Sequence, residues 1–300
     1  MPQLAYFLLY VVVRLFALLP FFVLYLLSDI LYLIVYKLIG YRKKVVRKNL
    51  KHSFPSFSQQ QLLKIEKEFY HHFCDLFVET IKLSSMSTET IKQRFSVTNM
   101  EVVEKLFAQG KSCISLSGHY GNWEWSAAYG LYIKPPAKAL FLYKQVKNQA
   151  FDKLIQTLRQ RFSGKCIEKD FALRKMLQYK KQGVATFTGF LADQTPTARN
   201  IHYWTQFMNQ DTPVFDGAER IARSMSYALL YIDVRKIKRG FYELTLIPMS
   251  DDVSATTEFE MTEQYVRLLE QTIQRNPSYY LWTHRRWKHK RTQPTTSNIE

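Results

Sequence analysis

The sequence predicts an α/β fold, in which a central, mainly parallel or mixed sheet is flanked by helices and preceded by an N-terminal transmembrane helix. Two observations lead to this prediction. From residue 111 onwards, short runs rich in β-branched and aromatic residues alternate with helical stretches, a pattern typical of sheets whose faces are covered by helices. Before that, residues 4–39 form an apolar run with five interruptions: Arg14, Pro20, Ser28, Asp29 and Lys37.

The N-terminal run is long enough for a membrane, because about 20 apolar residues span a bilayer core. Its uncharged start and its length differ from a signal peptide. We therefore predict a membrane anchor at 1–40 and favour one span, with a pair of buried or surface-lying helices as the alternative. By the positive-inside rule, the basic segment 41–48 that follows places the rest of the chain in the cytoplasm, with its lysines and arginines at the lipid headgroups.

The remaining chain divides into three predicted parts. Residues 41–110 form a basic juxtamembrane and helical segment, in which apolar residues recur at helical spacing from 58 to 83. Residues 111–291 form the catalytic α/β core, and residues 292–300 form a polar tail. The strands predicted in the core are 112–116, 139–143, 184–187, 227–234 and 242–247. The helices predicted there are 122–132, 148–162, 170–181, 215–225 and 258–275.

Composition narrows the choice of partners. The chain has 42 Lys+Arg against 25 Asp+Glu, a net charge of +17, which suits nucleic acid, an anionic membrane, a phosphorylated substrate or an acidic protein. Because RNP, zinc-finger and basic helix-turn-helix patterns are missing, we do not predict nucleic-acid binding. The three widely spaced cysteines indicate a reducing compartment, and without an HExxH motif or a tight Cys/His cluster we predict no metal.

The clearest candidate site is residues 117–125, Ser-Gly-His-Tyr-Gly-Asn-Trp-Glu-Trp, between a predicted strand and a predicted helix. Sites in open α/β sheets lie beyond the carboxyl ends of strands, where His119 would stand. A histidine acts as a general base when a carboxylate accepts from its other ring nitrogen, and Glu124 is the candidate for that carboxylate.

On one ideal helix the side chains of His119 and Glu124 would point about 140° apart. We therefore expect His119 in the loop and Glu124 in the first helical turn. Free backbone N–H groups at that helix start could hold an anionic oxygen. A surface histidine at a tight turn is the alternative interpretation.

His119-x4-Glu124 behind an apolar N-terminus resembles the HX4D/E motif of the glycerolipid (lysophospholipid) acyltransferase superfamily, and specifically its lipid A biosynthesis branch, the lauroyl/myristoyl acyltransferases. The most specific match is residues 277–288, which resemble the branch's PxxYxWxHRRxK signature. The other segments that resemble the branch are 47–55, 143–148 (YRPxxNP), Arg159-x-Arg161 and 192–194. Gln145 and Gln149 depart from it, since they stand where the branch often has proline.

The resemblance implies an acyltransferase-like fold and the transfer of a fatty acyl group from an acyl carrier protein thioester to a hydroxyl of a lipid A precursor. It implies the bacterial inner membrane, with the catalytic domain facing the cytoplasm, and no cofactor besides the thioester co-substrate. His119 would take the proton of the hydroxyl, Glu124 would orient His119, and backbone N–H groups would hold the oxyanion.

The candidates for binding the substrate are Asn122, Lys144, Arg159, Arg161, Asp193, His284 and Arg285. Solvated surface charges are the alternative interpretation of the basic ones, and we expect Asp193 to support the site rather than to react. Two other functions stay open. One is acyl transfer to an aminolipid or a lysophospholipid by the same His/Glu pair, and the other is non-enzymatic binding of anions by a membrane-anchored protein.

Overall fold

The N-terminal segment of the computed structural model, which describes residues 2–291, folds as two successive helices. Helix α1 is Pro2–Leu18 and helix α2 is Phe21–Tyr32, which a π-helical stretch, Leu33–Ile39, prolongs. Pro20 separates them, because proline has no N–H for the helical ladder. Phe21–Ile39 is long and apolar enough to cross a membrane, whereas α1 is shorter. The predicted polar tail, 292–300, lies outside the described residues.

The segment between the N-terminal helices and the core is mostly helical, as predicted. Its helices are α3 (Lys43–Ser53), α4 (Gln59–Lys82), α5 (Thr88–Arg94) and α6 (Glu101–Ala108). Helix α4 begins with a capping box, in which Ser58 and Gln61 each accept the other's backbone N–H with their side chains. Its buried face packs against α1 and α2.

Within residues 2–291, seven of the nine strands form one sheet, in the order β1-β9-β8-β2-β5-β3-β4. The strands are β1 (Phe95–Thr98), β2 (Cys113–Ser117), β3 (Lys138–Tyr143), β4 (Gly164–Glu168), β5 (Thr186–Leu191), β6 (Tyr203–Phe207), β7 (Gln210–Val214), β8 (Ala228–Lys238) and β9 (Phe241–Ser250). Neighbours in the sheet are parallel except β8 and β9, which form an antiparallel hairpin. The predicted α/β fold with a mainly parallel or mixed sheet is confirmed.

The five predicted strands correspond to β2, β3, β5, β8 and β9. Strands β4, β6 and β7 were not predicted, and β6 and β7 pair as a separate antiparallel hairpin. Strand β1 was not predicted either, and it lies beside β9 with Phe95 aligned with Tyr242. The segment predicted to be helical, 41–110, therefore also supplies an edge strand of the core sheet.

The predicted core helices are present as α7 (Gln149–Arg159), α8 (Ala172–Lys181), α9 (Gly217–Met225) and α10 (Glu260–Arg275). The helix predicted at 122–132 is a 3₁₀ helix that begins later, at Trp125. Strands β2 and β5 lie in the middle of the sheet and are almost fully buried. Because the two strands are parallel neighbours, their carboxyl ends lie side by side, and the loops that follow them begin at the same edge of the sheet.

Candidate active site

The adjacent ends of β2 and β5 bring a histidine and an aspartate together. Ser117 at the end of β2 is aligned with Leu191 at the end of β5. His119 and Asp193 lie two residues beyond these positions, and Nδ1 of His119 is 2.6 Å from Oδ1 of Asp193. The backbone N–H of His119 also donates to Oδ2 of Asp193, at 3.1 Å. One carboxylate thus fixes both the ring and the backbone of the histidine.

This contact determines which ring nitrogen of His119 is free. An ionised carboxylate only accepts hydrogen bonds, so we infer that Nδ1 carries the hydrogen and that Nε2 keeps its lone pair. The side-chain amide nitrogen of Gln194 lies 3.3 Å from Nε2. Burial by itself would raise the pKa of Asp193, but the electrostatic interaction with His119 and the hydrogen bonds from its ring and backbone outweigh burial and lower that pKa below its usual value. Asp193 is therefore ionised at neutral pH.

Glu124 has a different partner from the predicted one. Its two carboxylate oxygens accept from Nη2 and Nε of Arg159, at 2.6 and 2.8 Å. Burial would raise the pKa of Glu124, but the charge of Arg159 lowers it below the usual value. The expectation that Glu124 accepts from the ring of His119 is therefore corrected, because Asp193 makes that contact. The physical reason is that the chain turns at Gly121, with φ +59°, and Glu124 meets the last residue of α7.

The two arginines predicted to bind the acceptor are both engaged within the protein. Arg159 forms the bidentate pair with Glu124. The guanidinium of Arg161 donates to the backbone carbonyls of Ser84 and Met86, with 2.8 Å to Met86. Arg161 therefore ties the end of α7 to the loop that follows α4.

Asn122 is fully buried and holds the site loop in place. Its Nδ2 donates to Oε2 of Glu79 at 2.7 Å, and its Oδ1 accepts the backbone N–H of Trp125 at 3.0 Å. Glu79 also accepts from the hydroxyls of Tyr25 and Tyr242. The side chain predicted to contact the substrate therefore makes its contacts inside the protein.

Several backbone N–H groups of the loop are already used. Those of Tyr120, Gly121 and Trp125 donate to the Gly118 carbonyl, the Tyr279 carbonyl and the Asn122 side chain. An oxyanion must therefore find other donors in this loop, and the oxyanion site at the helix start stays a prediction.

The segment 277–288 forms one wall of the site. The N–H of Leu281 donates to the His119 carbonyl, and Tyr280 forms a β-bridge with Tyr120. Arg286 is buried, and its guanidinium donates to the Pro213 carbonyl. Its charge also helps to lower the pKa of Asp193. In the sequence, only the family resemblance marks this segment. In the structure, it touches the histidine loop directly.

The other predicted binding residues differ in their exposure. The ring of His284 accepts the Thr195 N–H, and burial lowers the pKa of this histidine to about 4, so that it is neutral at pH 7. Lys144 and Arg285 are exposed. These two cations can meet an anionic group from solution, whereas His284 presents a neutral ring beside Asp193.

A cavity of about 50 Å³ lies beside the loop, bounded by Trp123 and by the Glu124–Arg159 pair. Most of its lining is apolar: Ala127, Phe141, Leu142, Phe190, Leu191 and Ile232. The ring centroids of Trp123 and His119 are 5.3 Å apart. The site thus combines the His119–Asp193 pair with an apolar side. Among residues 2–291, no group of three or more His, Cys, Asp and Glu is placed to hold a metal.

Known proteins resemble this chain over most of its length. The model of the bacterial lipid A biosynthesis acyltransferase family matches residues 1–289. The lipid A biosynthesis palmitoleoyltransferase of Escherichia coli is 23% identical over 248 residues, covering 82% of this chain and 79% of that protein. A lipid A biosynthesis acyltransferase of Shigella flexneri shows the same values. One of Haemophilus influenzae is 22% identical over 252 residues, covering 81% and 76%.

Proposed function

We propose a donor, a base and an orienting carboxylate for this chain, which belongs to the bacterial lipid A biosynthesis acyltransferase family. It is an acyltransferase, and its family transfers acyl groups to lipid A precursors. The proposed donor is a fatty acyl thioester of acyl carrier protein, and the proposed acceptor atom is a hydroxyl oxygen of the precursor. The proposed location is the cytoplasmic face of the bacterial inner membrane.

The single observation that carries the proposed mechanism is the 2.6 Å contact between His119 and Asp193. With its proton on Nδ1, His119 presents a basic Nε2 to the acceptor hydroxyl. As Nε2 takes the proton, the hydroxyl oxygen attacks the thioester carbonyl carbon. The C–O bond forms, the C–S bond breaks, and His119 returns the proton to the thiolate that leaves. We propose that no covalent acyl-enzyme and no cofactor is needed.

Asp193 and the apolar side of the site support this sequence of steps. The carboxylate of Asp193 stabilises the imidazolium that exists between the two proton transfers, while its second oxygen holds the backbone of the loop. Exclusion of water by the apolar side strengthens this electrostatic contact. We propose that the bidentate Glu124–Arg159 pair shapes the loop beside the base rather than exchanging a proton.

The test uses purified protein in detergent with an acyl carrier protein thioester and a tetra-acylated lipid A precursor, and follows the mass of the product. We expect wild type to add one acyl mass and His119→Ala to lose this activity. A matched control is His202→Ala, because Nδ1 of His202 also contacts a buried aspartate, Asp216, at 3.1 Å. This variant should keep the activity.

Different outcomes would remove different parts of the proposal. If wild type acylates an aminolipid or a lysophospholipid instead, the proposed acceptor is wrong and the base is retained. If a coenzyme A thioester serves and the carrier protein thioester does not, the donor is wrong. Full activity of a folded His119→Ala variant would contradict the proposed base.

A further inference from the structure

The inner face of α1 is attached at two separate points to the catalytic domain, which here comprises residues 41–291 because α4 packs with the core. The Tyr6 hydroxyl lies 3.2 Å from Oγ1 of Thr157 on α7. Two helical turns later, the guanidinium of Arg14 donates to the Ser84 carbonyl after α4. Helix α1 therefore lies along the surface of the domain instead of leaving it at one end. Its 17 residues measure about 25 Å, which is less than the roughly 30 Å of a bilayer core.

The middle of the longer helix, Phe21–Ile39, carries polar groups that bind the domain. The Ser28 hydroxyl donates to Asp75 at 2.8 Å. The next residue, Asp29, accepts from Arg239 at 2.6 Å, and Arg239 also binds Asp75. The most polar point of the apolar helix is thus joined to two charged residues of the domain.

Two tyrosines extend this contact towards both ends of the helix. The Tyr25 hydroxyl donates to Glu79, and the Tyr36 hydroxyl donates to Glu66, each at 3.0 Å. The two tyrosines are eleven residues apart, or about 16 Å along a helix. The contact with α4 therefore covers about half of the thickness of a bilayer core.

Crossing the bilayer is hard to reconcile with these contacts. If Phe21–Ile39 crossed it with its contacts intact, Asp75, Arg239 and the two glutamates would lie within the hydrocarbon. Charged side chains at that depth are strongly unfavourable. Detaching the helix from the domain would leave Asp29 unpaired in the bilayer. It would also remove the hydrogen bond from Ser28 to the buried Asp75. The first arrangement places charges in the hydrocarbon, and the second breaks the contacts between the helix and the domain.

The outer faces of both helices are apolar, whereas their inner faces carry the polar contacts with the domain. Their exposed side chains are apolar and large, and Phe22 and Leu38 are 74% and 80% exposed. Leu4 and Leu15 are similar examples on α1. A continuous apolar surface of this kind marks a membrane or a protein interface. Because lysines 37, 43 and 44 lie where the second helix ends, an anionic headgroup layer is the complementary partner.

We propose that α1 and Phe21–Ile39 lie side by side in one leaflet of a bilayer, with their outer faces among the acyl chains and their inner faces on the catalytic domain. The partner of this surface is an anionic lipid leaflet. Residue 3 and the catalytic domain are then on the same side of the membrane. This arrangement is independent of the proposed donor and base, and only the side of the membrane on which both ends lie rests on the proposed cytoplasmic location.

The first test uses the full chain in bacterial inner membranes and a membrane-impermeant maleimide. Cys74 and Cys113 are buried, so a Cys166→Ser variant should show little labelling of its own and serves as the background for the test. Gln3→Cys reports the N-terminal end, and Gln182→Cys, at an exposed position after α8, reports the domain. We expect both variants to be labelled in inverted vesicles and neither in intact spheroplasts. Labelling of the two variants from opposite sides, in whole or in part, would overturn the proposal.

The second test measures depth. Spin labels at Leu8→Cys, Leu26→Cys and Leu38→Cys, all exposed positions, are examined in vesicles of phosphatidylethanolamine and phosphatidylglycerol. We expect all three to be accessible to oxygen, at similar depths within one leaflet. A depth that passes through the bilayer midplane between Leu26 and Leu38 would show a span. Labels as accessible to aqueous nickel as those of a free peptide would show that the surface does not enter lipid.

Discussion

Replacing Asp193 with asparagine separates the role of this carboxylate from its place in the fold. The variant keeps the volume of the side chain and one acceptor oxygen, but it removes the negative charge 2.6 Å from Nδ1 of His119. An asparagine can also turn its NH₂ towards Nδ1. In that case the hydrogen of the ring moves to Nε2, and the base has no lone pair for the acceptor hydroxyl.

The expected loss of kcat follows from the two hydrogen bonds that Asp193 accepts from His119. A hydrogen bond to a charged group contributes about 1.5–3 kcal/mol. The contact with Nδ1 strengthens when the ring becomes charged, whereas the contact with the His119 N–H is the same before and during the reaction. Only the first therefore changes kcat. Together with the unfavourable tautomer we expect a loss of about 3–5 kcal/mol, or roughly 10²–10⁴-fold in kcat.

The assay measures kcat and KM for acyl transfer by wild type, Asp193→Asn and the matched control Asp216→Asn. Asp216 is as buried as Asp193 and also contacts Nδ1 of a histidine. We expect Asp193→Asn to lower kcat with KM nearly unchanged, and Asp216→Asn to change neither by more than about threefold. If Asp193→Asn keeps more than about a tenth of the wild-type kcat, or if both variants lose activity equally, Asp193 does not orient the base.

Two further predictions concern the residues around the loop. Glu124→Gln leaves the guanidinium of Arg159 without its charged partner, so we expect a loss of about 3 kcal/mol in the free energy of unfolding, at the lower end for a buried ion pair. Arg159→Gln combined with Glu124→Gln should cost less than the sum of the single changes, and additive losses in urea unfolding would contradict the pairing. Burial raises the pKa of Glu79 from 4.5 to about 7, so between these values the folded protein holds a proton that the unfolded chain has lost. The free energy of unfolding should therefore decrease as the pH rises from about 4.5 to 7, and Glu79→Gln should lack this part of the decrease; identical pH profiles for the two proteins would refute it.

The sequence was sufficient for the class of fold and for placing His119 in a loop after a strand, but not for the residue that contacts its ring. The alternation of strands and helices predicts an α/β sheet, and the glycines around His119 predict a loop after a strand. Asp193 follows a strand that is distant in the chain, and only the order of strands shows that β5 lies beside β2. Glu124 was preferred because it is near in sequence, although the turn at Gly121 directs it to α7 instead.

The strands that sequence reasoning missed have weak local signals. Strand β1 has four residues, Phe95–Thr98, and β4 begins with Gly-Lys, so neither shows a clear alternation. The hairpin of β6 and β7 turns at Met208 and Asn209, which both have positive φ. Asparagine is common at such a position, but methionine is not, so the usual hairpin signal was incomplete.

The hydrogen bonds between the histidine loop and the segment 277–288 have a consequence for synthesis of the chain on the ribosome. The carbonyl of His119 and the N–H of Gly121 find their partners in Leu281 and Tyr279, which are translated long after them. Until then the loop lacks two of its backbone contacts, whatever the state of the sheet beneath it. The N-terminal helices are therefore synthesised, and available for contact with a membrane, well before the loop that carries His119 has all its contacts.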